Sequence, residues 1–266
     1  MENHYEIADL LLKVTSESVL PGFLAGFEAL PEERELSLVL RMNKPLEGTY
    51  GVCHQVLPEG TRHLLTNERD GSCWLTADEN WQSVQLWAGK AQVQEQMELL
   101  AAAFYSRLSR EGGLLLHASA VEYQGKSVVF LAPSGTGKTT QAELWNTHLG
   151  ARILNGDKVF LRKRGEQICA FGSPWKGSSP YGENACAPVA ALVALEQGKE
   201  NVLEKLEGVQ GVQAVMSHLF YPGWDKDCMD AVMDTADRTM TALPVFKLTC
   251  RPDRESVMLL KKGVYL

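Results

Sequence analysis

The run Ala132-Pro133-Ser134-Gly135-Thr136-Gly137-Lys138-Thr139-Thr140 constrains the fold of this chain more than any other stretch. An apolar segment, Ser127 to Leu131, leads into it, and a segment of helical character, Thr139 to Leu149, follows. Strand, small-residue loop and helix in that order match the phosphate-binding pattern G-x-x-x-x-G-K-[ST], with Ala132 in the first position. Small residues let successive backbone N–H groups turn inward around a polyphosphate. The helix adds its positive N-terminal end. Lys138 has the reach for the outer phosphates, and the Thr139 hydroxyl suits Mg²⁺. The expected nucleotide-binding residues are therefore Ala132 to Thr140, and the expected ligands are ATP and Mg²⁺.

The approach to this loop is unusual. Leu114 to Val121 reads as a strand, Tyr123-Gln124-Gly125-Lys126 as a turn, and Ser127 to Leu131 as the next strand. That is a β-hairpin, so the strand before the loop is expected to run antiparallel to it. Proteins with an all-parallel sheet enter such a loop from a helix instead. Downstream, Ala151 to Leu154 reads as a strand ending at Asn155-Gly156-Asp157, and Lys158 to Lys163 with Gln167 to Phe171 as a second hairpin. Gly172 to Gly182 is a loop rich in Gly, Ser and Pro. Pro188 to Leu195 and Val245 to Thr249 read as strands; Val209 to Leu219, Asp227 to Met240 and Glu255 to Lys261 read as helices.

Residues 1–90 read as short β segments joined by turns, among them Tyr5 to Val14, Glu35 to Met42 and Trp81 to Trp87, with a turn at Glu68-Arg69-Asp70-Gly71. His54 and His63 stand alone there and are read as surface or core residues. Residues 91–112 hold the clearest helix, in which Val93, Met97, Leu100, Ala101, Phe104 and Leu108 recur at helical spacing before Gly112 and Gly113. The expected organisation is a β-rich region over 1–90, suited to substrate or partner recognition, a linking helix over 91–112, and a P-loop domain over 113–266.

A net charge of −7 argues against a general nucleic-acid binder. It says nothing against ATP, because a nest of N–H groups dominates at close range. The six cysteines form no C-x-x-C pair, so free thiols in a reducing compartment are expected. The apolar run near Ala187 to Leu195 is too short to span a bilayer. The N-terminus lacks a secretory apolar core. The expected location is the cytoplasm, with the oligomeric state open.

A P-loop needs an acidic partner for its metal. Asp157 is the first candidate, because it follows the strand after the P-loop helix; Glu196, at the end of Val189 to Leu195, is the runner-up. His117, on the strand paired with the P-loop strand, could orient a phosphate or an acceptor. Trp175 and Lys176 lie in the Gly/Pro loop, which suits an acceptor site; a buried anchor and a solvated lysine are the plain alternatives. Glu143 on the P-loop helix and Arg251 after a strand are weaker candidates.

These residues resemble the C-terminal domain of HPr kinase/phosphorylase and, more broadly, the phosphoenolpyruvate-carboxykinase-type P-loop fold, in an uncharacterised bacterial branch. The resemblance lies in Leu116-His117-Ala118-Ser119-Ala120-Val121 with Val128-Val129-Phe130, then Ser134 to Thr139, then Leu154-Asn155-Gly156-Asp157. It implies an α/β fold with α+β elements and a mixed sheet. It also implies transfer of the γ-phosphate of ATP to a hydroxyl, on a serine of a peptide or protein or on a small molecule. Lys138, Asp157 and His117 would be catalytic, with Thr139 and Asp157 at the metal. In that family two adjacent aspartates end the strand, the first acting as base toward the acceptor hydroxyl. Here the pair is Gly156-Asp157, and only the second matches. The alternative is a nucleotide-binding accessory protein, or weak ATPase, that transfers no phosphate and acts through a partner.

Overall fold

The computed structural model describes residues 1–16, 21–31, 38–43, 60–66, 73–88 and 93–265. They fall into two units, Met1–Glu111 and Gly112–Leu266. Cys53, His54, the turn at Glu68 to Gly71 and the start of the strand expected at Glu35 lie outside the described residues.

In the first unit β1 (Glu2–Ile7) and β2 (Leu10–Ser16) form an antiparallel hairpin. Sequence periodicity had merged Tyr5 to Val14 into one segment. The hairpin turns at Ala8 and Asp9, both at positive φ (50° and 60°), without the Gly that marks most two-residue turns. With β3 (Glu28–Ala29), β4 (Leu38–Asn43), β5 (His63–Thr66), β6 (Trp74–Ala77) and β7 (Ser83–Trp87), the strands make one sheet ordered β3-β1-β2-β4-β7-β6-β5. Both pairs that flank β4 are parallel, and the rest are antiparallel. Helix α1 (Val93–Arg110) buries Leu99, Leu100, Ala103, Phe104 and Leu108 and packs on β6 and β7.

The second unit is organised by two long strands, β8 (Gly113–Tyr123) and β13 (Cys186–Gln197). The expected hairpin is present: β8 runs antiparallel to β9 (Lys126–Leu131) through the turn at Gln124-Gly125. Only the second half of β8 makes that pairing. Its first half pairs with β11 (Lys158–Arg164), which forms a hairpin with β12 (Gln167–Phe171). β12 in turn meets the start of β13, whose later residues run parallel to β9. Strands β8, β11, β12, β13 and β9 thus close into a ring. β10 (Arg152–Asn155) flanks β8, and β15 (Val245–Cys250) continues the sheet parallel to β13. The sheet ends at β14 (Val202–Leu206), an edge strand whose alternation the polar Glu204-Lys205 hides in the sequence. The fold is α/β with mixed sheets.

Helix α2 (Lys138–Leu149) leaves the end of β9 and turns Ala142 and Trp145 into the core. Trp145 is fully buried among Phe130, Tyr123 and Tyr265, at ring separations of 6.0–6.2 Å. Helix α5 (Arg254–Tyr265) covers the same core with Val257 and Leu260. Helices α3 (Val209–Met216) and α4 (Lys226–Ala242) complete the unit; Asp225 caps α4 by accepting from the N–H groups of Asp227 and Cys228. Among the described residues no helix is long and apolar enough to cross a membrane.

Candidate nucleotide site

The loop between β9 and α2 begins where strand pairing stops, at Leu131. Gly135 and Gly137 take positive φ (79° and 116°), which lets the chain reverse within a few residues and enter α2 without a side-chain cap. The first N–H groups of α2 therefore have no partner from a side-chain cap, and Lys138, Thr139 and Thr140 of its first turn line the cavity beneath the loop. That cavity, of ≈ 330 Å³, is lined by His117, Ser134, Gly135, Gly137, Lys138, Thr139, Thr140, Gly156, Asp157 and Ser178 to Pro180. Its size falls within the range of small-molecule sites.

Lys138 is only 6% exposed. Its Nζ donates to the carbonyls of Ala132 (2.8 Å) and Pro133 (3.3 Å), folding the side chain back across the loop it serves. Burial lowers its pKa from the usual lysine value, and the Asp157 carboxylate partly offsets this. The Lys138 carbonyl is anchored by the buried Ser119 hydroxyl on β8 (2.9 Å). Thr139 Oγ1 donates to the Gly156 carbonyl (3.3 Å), so the first turn of α2 and the end of β10 are already in contact.

Asp157 projects from the turn after β10, and Asn155 shapes that turn. The fully buried Asn155 accepts at Oδ1 from the N–H groups of Asp157 (2.8 Å) and Lys158 (2.9 Å). Its Nδ2 donates to Ser173, at O (2.9 Å) and Oγ (3.1 Å). One amide thus fixes both the carboxylate turn and the start of the Gly/Pro loop. The Asp157 carboxylate meets Lys158 Nζ at 2.8 Å and His117 Nε2 at 3.5 Å. Burial and the Lys138 and Lys158 charges hold the His117 pKa below the ordinary imidazole value, against the opposing pull of Asp157. His117 is therefore neutral near pH 7 and able to accept a proton.

The chain matches no family model, and no curated protein sequence is significantly similar to it. Among solved structures it is similar to the Hpr(Ser) kinase/phosphatase from Coxiella burnetii, with 10% identity, 57% of this chain and 88% of that chain covered, and a TM-score of 0.34. The likeness is distant, and what the site can do follows from this chain's own residues.

Of the residues singled out in the sequence, the cavity gathers His117, Ser134, Gly135, Gly137, Lys138, Thr139, Thr140 and Asp157; Ala132, Pro133 and Thr136 support the loop from behind or from its tip. Glu196 stands elsewhere, with its carboxylate held by Lys247 Nζ (2.7 Å) and Thr249 Oγ1 (2.9 Å). Trp175 is buried edge-on to Phe160, and Lys176 Nζ donates to the Pro180 carbonyl, so neither lines the cavity; the same loop reaches it through Ser178, Ser179 and Pro180. Glu143 accepts from the Tyr181 hydroxyl (3.3 Å), and Arg251 pairs with Asp253 and Glu255 at the surface.

Lys158, Phe220 and His218 were not foreseen. The His218 carbonyl accepts from His117 N–H (2.8 Å), and Leu219 bridges to Leu116, so the segment after α3 lies along β8. Phe220 stacks near the His117 ring (6.4 Å), with Lys158 Nζ 5.8 Å from its centroid. Nothing in the local pattern of Ser217 to Tyr221 marks it as a neighbour of the P-loop.

Among the described residues no group of three or more His, Cys, Asp and Glu side chains is placed to hold a metal alone. Mg²⁺ on a nucleotide needs less than that: one or two protein oxygens, with phosphate and water supplying the rest. Thr139 Oγ1 and the Asp157 carboxylate are hard oxygen donors on one cavity, and that set fits Mg²⁺.

Proposed function

We propose that the second unit binds a nucleoside triphosphate with Mg²⁺ and transfers its γ-phosphate to a hydroxyl. The observation that carries this reading is the convergence of Lys138, Thr139, Asp157 and His117 on the cavity under the P-loop. The loop and α2 N–H groups would cradle the β- and γ-phosphates. Thr139 and Asp157 would hold Mg²⁺, which neutralises charge on the phosphates. Lys138, released from the Ala132 and Pro133 carbonyls, would follow the charge developing on the transferred group. His117, neutral and beside Asp157, would orient the acceptor and take its proton. Phosphoryl transfer depends chiefly on positioning and electrostatics, so the lack of a second carboxylate in this corner need not abolish it.

The test is transfer of labelled γ-phosphate to serine peptides and small hydroxyl compounds, alongside equilibrium nucleotide binding. Lys138→Ala is expected to lower turnover by about 100- to 1,000-fold, the typical cost of removing one group that stabilises transition-state charge. Nucleotide bound normally by Lys138→Ala, with unchanged turnover, would sink the reading.

A second reading rests on Gly156. With only one acidic side chain at the end of β10, the unit would bind nucleotide and grip a partner without transferring phosphate. Release of free phosphate alone, with every acceptor tried and with the chain itself, would favour it.

A further inference from the structure

The segment Gly177 to Pro180 lies directly on the end of β10. An ideal Cβ at Gly156 would fall 2.0 Å from Ser179 Oγ, 2.6 Å from Ser179 Cβ and 3.8 Å from Thr139 Oγ1. The Ser179 hydroxyl therefore occupies the space in which a side chain at position 156 would stand, in the corner between Gly156 and Thr139. Gly177, at φ +57°, is pressed on the Asp157 carboxylate; a Cβ there would lie 2.8 Å from Oδ2. Two residues without side chains allow this approach.

The placement is built rather than incidental. Trp175 anchors the loop in the core. Ser179 N–H donates to the Lys176 carbonyl (3.0 Å), closing a turn, and Lys176 Nζ reaches the Pro180 carbonyl (3.2 Å). Tyr181 N–H donates to Ser179 Oγ (3.2 Å), while Gly156 N–H donates to the Tyr181 carbonyl (3.3 Å) and Gly182 bridges to Asn155. Ser179 Oγ thus accepts one hydrogen bond, from Tyr181 N–H. Ser178, Ser179 and Pro180 all line the cavity that holds Lys138 and Asp157.

We propose that Ser179 is a phosphorylation site of this chain and that the P-loop of the same molecule supplies the phosphate. The inference rests on the nucleotide reading above and names one acceptor for it. Ser179 Oγ attacks the γ-phosphorus of the bound nucleoside triphosphate. The new Oγ–P bond forms as the bond from phosphorus to the β,γ-bridging oxygen breaks. The nucleoside diphosphate leaves with that electron pair, and the serine proton passes to His117, which lines the same cavity. The product is a phosphoserine of charge about −2 held beside the loop that bound the nucleotide, so the reaction stops at one phosphate per chain.

The full chain is incubated with Mg²⁺ and γ-labelled ATP, and separately GTP. Intact mass and peptide mapping are read beside equilibrium nucleotide binding on the same preparation. The expected result is one phosphate per chain, mapped to Ser179. Its rate constant does not change with protein concentration, it is lost in Ser179→Ala and Lys138→Ala, and it is retained in Ser179→Thr. Nucleotide bound but no phosphate on the chain overturns the self-acceptor role and leaves the nucleotide reading standing. Phosphate at Ser178 or elsewhere, or labelling of Ser179→Ala at the wild-type rate, overturns it as well. Failure to bind either nucleotide overturns both readings. Mapping on the unsubstituted chain keeps the test decisive should Ser179→Ala fold poorly.

Discussion

A hydrogen atom in place of a side chain at residue 156 decides what can stand next to the phosphate cradle. Gly156→Ala is expected to push Ser179 out of its corner and to destabilise the second unit by about 1–3 kcal/mol, as overpacking does. Urea unfolding measures it. The cost should shrink when Ser179→Gly is added, because the clash is pairwise; an additive double-mutant cycle would show that the two residues do not touch. Gly156→Asp meets the same obstacle, so restoring a second carboxylate displaces the loop before it adds a base. Asn155→Ala, by contrast, strands the partly buried N–H groups of Asp157 and Lys158, at up to about 1–3 kcal/mol for each unsatisfied group. Its signature should be slowed turnover along with lost stability, since the carboxylate turn loosens. Lys138, Thr139 and Asp157 were legible in the sequence because their spacing is local to one strand–loop–helix–strand run. Ser179 and the second role of Asn155 were not. The Asn155–Ser173 contact spans 18 residues, and the fit of Ser179 depends on an absent side chain, which leaves no periodic trace.

At the level of elements, α2 is the strut that carries the cradle, and Trp145 ties it down. Trp145→Ala removes a fully buried indole from among Phe130, Tyr123 and Tyr265. The expected loss is about 3–5 kcal/mol by denaturant unfolding. A loss below about 1 kcal/mol would mean that α2 is held from elsewhere. The hairpin of β8 and β9 and that of β11 and β12 were readable from alternation and from the turns at Gly125 and Gly165. The ring they enter was not, because it depends on β8 and β13 each changing partners midway, and one continuous apolar run looks the same with one neighbour or two. The β1–β2 turn escaped for a related reason: Ala8 and Asp9 adopt positive φ without a glycine to announce it.

For the whole molecule, the arrangement gathers basic groups: Lys138, Lys158 and His117 stand around the Asp157 carboxylate, with His218 beside Lys138 and His117, in a chain of net charge −7. Burial, then Lys138 and His117, depress the pKa of the half-buried His218. Its unfolded form binds a proton near pH 6.5, and its folded form does so only at lower pH. Between those two values the unfolded state holds more protons, so stability falls as the pH drops below about 6.5 and levels off once the folded pKa is passed. His218→Gln should reduce that slope and leave the part that His117, lowered in the same direction, contributes, as measured by urea midpoints across the range. A bound polyphosphate reverses the local charge, so the same curve in saturating nucleotide and Mg²⁺ should shift upward and lose part of its acid slope. Occupancy at about 100 times the dissociation constant adds about 2.7 kcal/mol.

The ring also sets an order of events. β9, which carries the P-loop, has β8 on one side and β13 on the other, and β13 does not begin until Cys186. A nascent chain that has just left the ribosome as far as Leu149 already holds the whole phosphate-binding motif. It lacks the neighbour that completes the sheet beneath it, and contacts between distant segments form late. Nucleotide affinity should therefore appear in one step, when the ribosome has released β13, and not when the motif itself emerges.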